Sequence, residues 1–153
     1  MSKQLQNFKK YGFRVCCKES CTRKEECLRY YVWKNYTEND NTIICINPLF
    51  DGLKDECQFF RQIQPIKLAY GFDKSMYDEL PKKKSERLWN KIHNYFGNAE
   101  YYRYLKGEKP LFPEQQQFLE QEFRKTGYQG EFLYLKVEED YDLNDVISEE
   151  DND

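Results

Sequence analysis

Residues 81–127 read PKKKSERLWN KIHNYFGNAE YYRYLKGEKP LFPEQQQFLE QEFRKTG, and the punctuation of this stretch sets the fold class. Pro81 suits a first helical position, because its missing N–H would be unpaired there anyway. Leu88, Ile92, Tyr95 and Phe96 then fall at i, i+4, i+7 and i+8, one face of a 3.6-residue period. Gly97 is a stop, since glycine takes the left-handed turn without a Cβ clash. Asn98 is placed to cap a short second helix that runs to Lys106 and ends at Gly107. Pro113 starts a third, Glu114 to Thr126, with Phe118, Leu119 and Phe123 on one face and Gly127 at its end. Every start has its stop, which predicts three helices.

On either side of this stretch the pattern changes. Thr42–Phe50 is a short apolar, β-branched run ended by Pro48 and reads as a strand. Ile66–Tyr70, closed by Gly71, reads as a second, and Asp51-Gly52 between them is a turn signal. Glu131–Val137 alternates, with Phe132, Tyr134 and Lys136 on one face and Leu133, Leu135 and Val137 on the other, as in a half-buried strand. The expected class is therefore α+β. A cysteine-bearing N-terminal half contributes short strands, and a C-terminal half contributes three short helices and a final strand. One domain is expected over residues 1–137, divided into a cysteine-bearing part (1–72), a helical part (73–127) and the strand (131–137).

The chain of 153 residues suits one domain, and its 11 Phe and 13 Tyr supply large apolar bodies for a core. No apolar run approaches the roughly 18 residues of a membrane span, so no membrane partner is expected. The N-terminus is polar and lacks the apolar core of a signal peptide, which points to a reducing cytoplasm. The net charge of −3 hides a split. Residues 138–153 hold nine acids and no base, leaving the body at +6. Such a block repels itself and stays solvated, so 138–153 is expected to be a disordered acidic tail that aids solubility or competes for a basic face.

The six cysteines all lie within residues 1–72. Cys16, Cys21 and Cys27 are spaced C-x4-C-x5-C, and Cys57 follows thirty residues later. Four thiolates suit zinc, which is soft enough for sulfur and takes a tetrahedron of ligands. An iron–sulfur cluster is the neighbouring option, and unmetallated thiols the third. The C-x2-C pair of common structural zinc sites is missing, and Cys17 with Cys21 makes a competing C-x3-C register. Cys45, inside the run Ile43–Ile46, reads as a buried small hydrophobe.

Several stretches together carry a resemblance: Gly12-Phe13-Arg14-Val15-Cys16, Cys21, Cys27-Leu28-Arg29, Asn47-Pro48-Leu49, and Cys57-Gln58-Phe59-Phe60-Arg61. So do Phe96-Gly97, Tyr101-Tyr102-Arg103, Glu108-Lys109-Pro110-Leu111 and Pro113-Glu114-Gln115. In order and spacing, over about residues 11–128, the chain resembles a family of small Bacteroidetes proteins with a domain of unknown function. The resemblance implies that Cys16 rather than Cys17 belongs to the fourfold set. Gln58 departs from the proline frequent there in the family, and is not a candidate ligand. No activity comes with the resemblance.

Catalytic motifs are missing: no H-E-x-x-H, G-x-S-x-G, G-x-G-x-x-G or Walker loop occurs. The single histidine, His93, sits beside the apolar stripe of the first predicted helix and reads as a boundary residue, the alternative being a Cys-His pair with Cys27 or Cys57. The expected function is thus a small non-enzymatic cytoplasmic binding or regulatory module with a structural zinc site at Cys16, Cys21, Cys27 and Cys57. A second class is a nucleic-acid-binding regulator. Lys82, Lys83, Lys84, Arg87, Lys91, Arg103, Lys106 and Lys109 give residues 81–110 a charge of +5. Tyr101-Tyr102-Arg103-Tyr104 adds stacking groups, and three short helices allow a helix-turn-helix. Against it, lysines on a first turn oppose the helix macrodipole and often form only a solvated face. A third class is a thiol redox sensor using the same four cysteines. The partner, a nucleic acid or a protein, is left open by the sequence.

Overall fold

The computed structural model describes residues 5, 8–37, 39–50 and 56–145. The protein is mixed α and β. Where the sequence suggests one domain, the contacts define two compact units, Met1–Pro65 with Asp140–Asp153, and Ile66–Glu139. The expected Asp51-Gly52 turn lies outside the described residues.

Among the described residues, the first unit holds little regular structure. A 3₁₀ turn, Phe8–Tyr11, delivers the chain to Gly12, whose φ of +67° reverses it at no Cβ penalty. Val15 then pairs in parallel with Cys45, through Val15 N–H to Ile44 O (3.0 Å) and Ile46 N–H to Val15 O (2.9 Å). Thr42–Phe50, expected as a strand, is this single bridge and no more. The reason is local. Phe50 N–H closes a turn on Asn47 O (3.1 Å), and the Asn47 side chain accepts from Leu49 N–H (3.0 Å). Pro48 has no N–H for a ladder. The chain turns there and leaves Leu49 86 % exposed.

A helix that the sequence reading lacked, α1 (Leu28–Asn35), follows Cys27, which occupies its N-cap without a side-chain cap bond. Leu28 N–H is instead satisfied by Arg61 O at 2.6 Å, and Cys27 bridges Gln62 in antiparallel sense. Leu28 and Val32, one turn apart, meet Leu5, Phe8, Phe13, Val15 and Leu143 in a small core.

The second unit is regular. Strand β1 (Pro65–Phe72) overlaps the expected Ile66–Tyr70. Helices α2 (Lys82–Phe96) and α3 (Asn98–Lys106) follow, then the two-residue β2 (Pro110–Leu111), α4 (Pro113–Thr126) and β3 (Tyr134–Tyr141). The antiparallel sheet has the order β2-β1-β3, with Ala69 opposite Leu111 and Tyr70 opposite Pro110. The three expected helices are present with two shifts at their starts, and Pro81, expected as the first helical residue, is the N-cap of α2. Gly97, not Asn98, is the N-cap of α3, because its φ of +86° lets it end α2 and start α3 at once. At α4 the Gln115 side chain reaches back to Phe112 N–H (3.0 Å), satisfying a donor the helix leaves free. Leu88, Ile92, Tyr101, Leu119 and Phe123 from the three helices close over Ala69, Phe72 and Leu111. Burying one such aliphatic side chain contributes roughly 1.5–3 kcal/mol.

Strand β3 starts and ends later than the expected 131–137. Phe132 packs on Phe72 and Phe123, with ring centroids 5.7 and 5.2 Å away. The opposite face, Leu133, Leu135 and Val137, stays exposed. Residues 138–145 are a correction to the expected disordered tail. They complete β3, bury Asp140 and Leu143, and end in a buried carboxylate. Apolar Leu143 and the ionic partners of Asp145 overcome the self-repulsion read from composition. Residues 146–153 lie outside the described residues. No helix among the described residues is long and apolar enough to cross a membrane.

Candidate cysteine site

Cys16, Cys21, Cys27 and Cys57 line one cavity of ≈ 300 Å³ in the first unit. Local hydrogen bonds explain how four separate positions reach it. Cys16 follows the Val15–Cys45 bridge, and its N–H is held by Arg29 O at 3.3 Å. Cys21 sits in a turn closed on Lys18 O (3.3 Å), and a 3₁₀ turn, Lys24–Glu26, leads straight into Cys27. Cys57 starts a turn closed by Phe60 N–H to Cys57 O at 3.0 Å. The apolar part of the wall is Tyr30, Ile46, Phe59 and Phe60.

The thiols share an electrostatic environment. Burial pushes the Cys16 thiol up, the Lys18 N–H partly offsets this, and negative charge on Cys27, Cys17 or Cys21 would raise it further. Several thiolates together are thus disfavoured unless a cation joins them. Lys18, Arg23, Lys24 and Arg29 also border the cavity, and the Arg23 guanidinium lies 3.5 Å over the Phe60 ring. Among the described residues, no three His, Cys, Asp or Glu side chains stand close enough to hold a metal ion.

The other two cysteines form a pair of their own. Cys45 is not the buried apolar filler expected. It is partly exposed, and its thiol donates to Cys17 Sγ at 3.3 Å. The β-branched neighbours suggested burial, but the single bridge leaves the run at the surface.

One residue of this region had no local signal. The Asp145 side chain is 2 % exposed and lies among three arginines. Arg29 Nη1 and Nη2 donate to its two oxygens at 2.6 and 2.8 Å, the bidentate fork geometry. Arg14 adds its backbone N–H at 3.0 Å and its Nε at 3.3 Å, and Arg61 Nη2 stands 3.7 Å away. Burial raises the carboxyl pKa, but the bonds from Arg29 and Arg14 outweigh it and hold Asp145 well below the usual carboxylate range. Arg29 also donates to Phe59 O and Arg14 O, both at 2.7 Å, so this clamp fixes two segments that carry cavity residues. Outside it, Glu19 accepts from Tyr30 Oη (2.7 Å), then Lys24 and Lys34, and is held down to about 2.

His93 belongs to a different setting. Its ring lies between those of Trp89 (centroids 3.4 Å apart) and Tyr101 (3.7 Å), tilted by 31° and 33° to them. Nδ1–H donates to Trp89 O at 3.0 Å, while Nε2 is buried with no hydrogen-bond partner among the described residues. Burial lowers its pKa, against the opposing pull of the Trp89 carbonyl, so it is neutral at pH 7.

The sequence-predicted basic residues Lys82, Lys83, Lys84, Arg87, Lys91, Arg103 and Lys106 are all exposed on α2 and α3. Lys91 is engaged by Glu122 at 2.6 Å and Arg103 by Glu100 at 3.3 Å, and Lys109 also pairs with Glu100. The other five carry no ion pair among the described residues. Of the three tyrosines, Tyr101 is core and Tyr104 packs on Phe96, so Tyr102 alone is exposed. Only Gly97 separates α2 from α3, where a helix-turn-helix has a turn of three or four residues.

A family model described as a family of unknown function (DUF6078) matches residues 1–143, and the chain belongs to that family. No curated protein and no solved structure matches it.

Proposed function

We propose that this protein is a small non-enzymatic cytoplasmic binding or regulatory module, built around a structural zinc site at Cys16, Cys21, Cys27 and Cys57. The observation that carries the reading is that four cysteines from separate positions in the sequence line the same small cavity. A divalent cation there would reverse the mutual repulsion of the thiolates and draw the sulfurs inward, converting metal affinity into stability of a unit poor in regular structure. Iron–sulfur ligation uses the same four thiolates and is the alternative outcome of the test. The Bacteroidetes origin implied by the resemblance belongs to this proposal too.

Elemental analysis of purified, untagged protein, with a visible spectrum, is the experiment. About one colourless zinc per chain is expected. Cys57→Ser should release it and lower the Tm sharply. Metal-free protein, or a Cys57→Ser variant that melts like the parent, refutes the zinc site. A brown, iron-containing protein would replace zinc with a cluster.

A second reading is favoured by Lys82, Lys83, Lys84, Arg87 and Lys106, five exposed bases with no ion pair among the described residues, a surface fit for phosphates. It expects binding of single-stranded nucleic acid that weakens steeply with salt and strengthens on removing residues 146–153. No binding at low salt by either form rejects it.

A further inference from the structure

We infer that Cys17 and Cys45 are a peroxide-oxidisable dithiol, a disulfide-forming pair separate from the four cysteines of the cavity wall. Their sulfurs are 3.3 Å apart. The backbones that carry them are already tied together at the Val15–Cys45 bridge, two residues before Cys17. A disulfide needs about 2.05 Å between sulfurs, so closure takes a shift of roughly 1.3 Å, within reach of side-chain torsions while the bridge stays in place. Both residues are partly exposed, so a small peroxide reaches them. Neither lines the cavity, so their oxidation consumes no candidate zinc ligand.

Burial first, and then the hydrogen bond to Cys17, push the Cys45 thiol up to about 11. Oxidation can start at either sulfur, and both orders give the same disulfide and waters; in one order Cys17 is first. The Cys17 sulfur attacks one oxygen of hydrogen peroxide. The S–O bond forms, the O–O bond breaks, and the departing hydroxide takes up the thiol proton as water. Cys17 is then a sulfenic acid, oxidised by two electrons at the expense of the peroxide. Cys45 sulfur next attacks Cys17 sulfur. The S–S bond forms, the S–O bond breaks, and the Cys45 proton leaves in a second water. Two thiols and one peroxide thus give one disulfide and two waters, and a dithiol reductant reverses the change. The product links positions 28 residues apart and makes the Val15–Cys45 bridge permanent until reduced.

The test treats reduced, full-length protein with hydrogen peroxide, blocks the remaining thiols by alkylation, and maps tryptic peptides. Cleavage leaves Cys17 in Val15–Lys18 and Cys45 in Asn35–Lys54. The expected product joins these two peptides, with free thiols falling from six to four. Dithiothreitol restores them. Cys16 shares the first peptide, so fragmentation of the wild-type product assigns the bond, independently of how any variant folds. Cys16→Ser should keep the link, and Cys17→Ser and Cys45→Ser should lose it. The same yield is expected after chelation, so this inference and the zinc reading fail separately. A link assigned to Cys16, a link that survives Cys17→Ser, or a Cys45 that stays fully alkylatable after peroxide overturns the inference.

Discussion

The two units solve the same problem by different means. In Ile66–Glu139, three helices with clear starts and stops pack on a sheet, and the interior is a continuous cluster from Ala69 to Tyr128. In Met1–Pro65 with Asp140–Asp153, the described residues include the two-turn α1, two short 3₁₀ turns, two isolated bridges and a core of seven buried side chains. What the second unit gains from apolar burial, the first draws in part from ionic and polar links, above all Asp145 with Arg14, Arg29 and Arg61. Such links are geometrically exacting. Their loss leaves uncompensated charges, whereas a trimmed core relaxes around the gap.

Each unit carries one of the two tryptophans, Trp33 in the first and Trp89 in the second, so fluorescence unfolding of Trp33→Phe and Trp89→Phe variants reads them separately. The largest effect is expected for Asp145→Ala, which strands the buried Arg29. A loss of about 3–5 kcal/mol should appear in the Trp33 transition and leave the Trp89 transition in place. An equal shift in both would mean that the units unfold as one, and would break the comparison. Ile92→Ala is the converse, because Ile92 is wholly buried in the helical core. It should lower the Trp89 transition by about 2–4 kcal/mol, within the usual range for Ile→Ala.

Acid should separate the units more gently. The folded pKa of Asp145 is depressed, so its stabilisation is complete above the unfolded value of about 4 and is lost as pH falls below it. The Trp33 transition should weaken below about pH 4, and Asp145→Asn should remove that part of the pH dependence. A parent and variant with parallel acid profiles would contradict the clamp. The smallest change is expected for Lys91→Ala. Its bond to Glu122 starts from a lysine side chain 57 % exposed, and such pairs contribute about 0.2–1 kcal/mol. A larger loss would give the helical unit an ionic dependence like that of the first.

The sequence was most legible where structure is local. Pro81, Gly97, Gly107, Pro113 and Gly127 act within a turn of themselves, so the three helices could be read from spacing alone. Helix α1 was hidden because it starts on a cysteine with no capping side chain and buries Arg29 and Tyr30 beside Leu28 and Val32, which blurs its apolar face. The spacing of the cavity cysteines left Cys16 and Cys17 in competition, the resemblance favoured Cys16, and nothing in the spacing said that the four share a wall. Asp145 was misread because its meaning lies 131 positions away at Arg14, and an acid among acids carries no local mark. Cys45 failed for a related reason. Its apolar neighbours suggested burial, while its partner Cys17 belongs to a distant segment.

The position of Asp145 also bears on the order in which the protein is made. The carboxylate that satisfies Arg29 is translated 116 residues after it. At about 5–20 residues per second, the arginine waits roughly 6–23 s for its partner. Through that interval the intervening helical unit, compact by itself, can be synthesised and begin to fold. The first unit is then completed from both ends of the chain, and a nascent chain stalled before residue 145 would display Arg14, Arg29 and Arg61 to whatever anion, ribosomal RNA included, lies nearest.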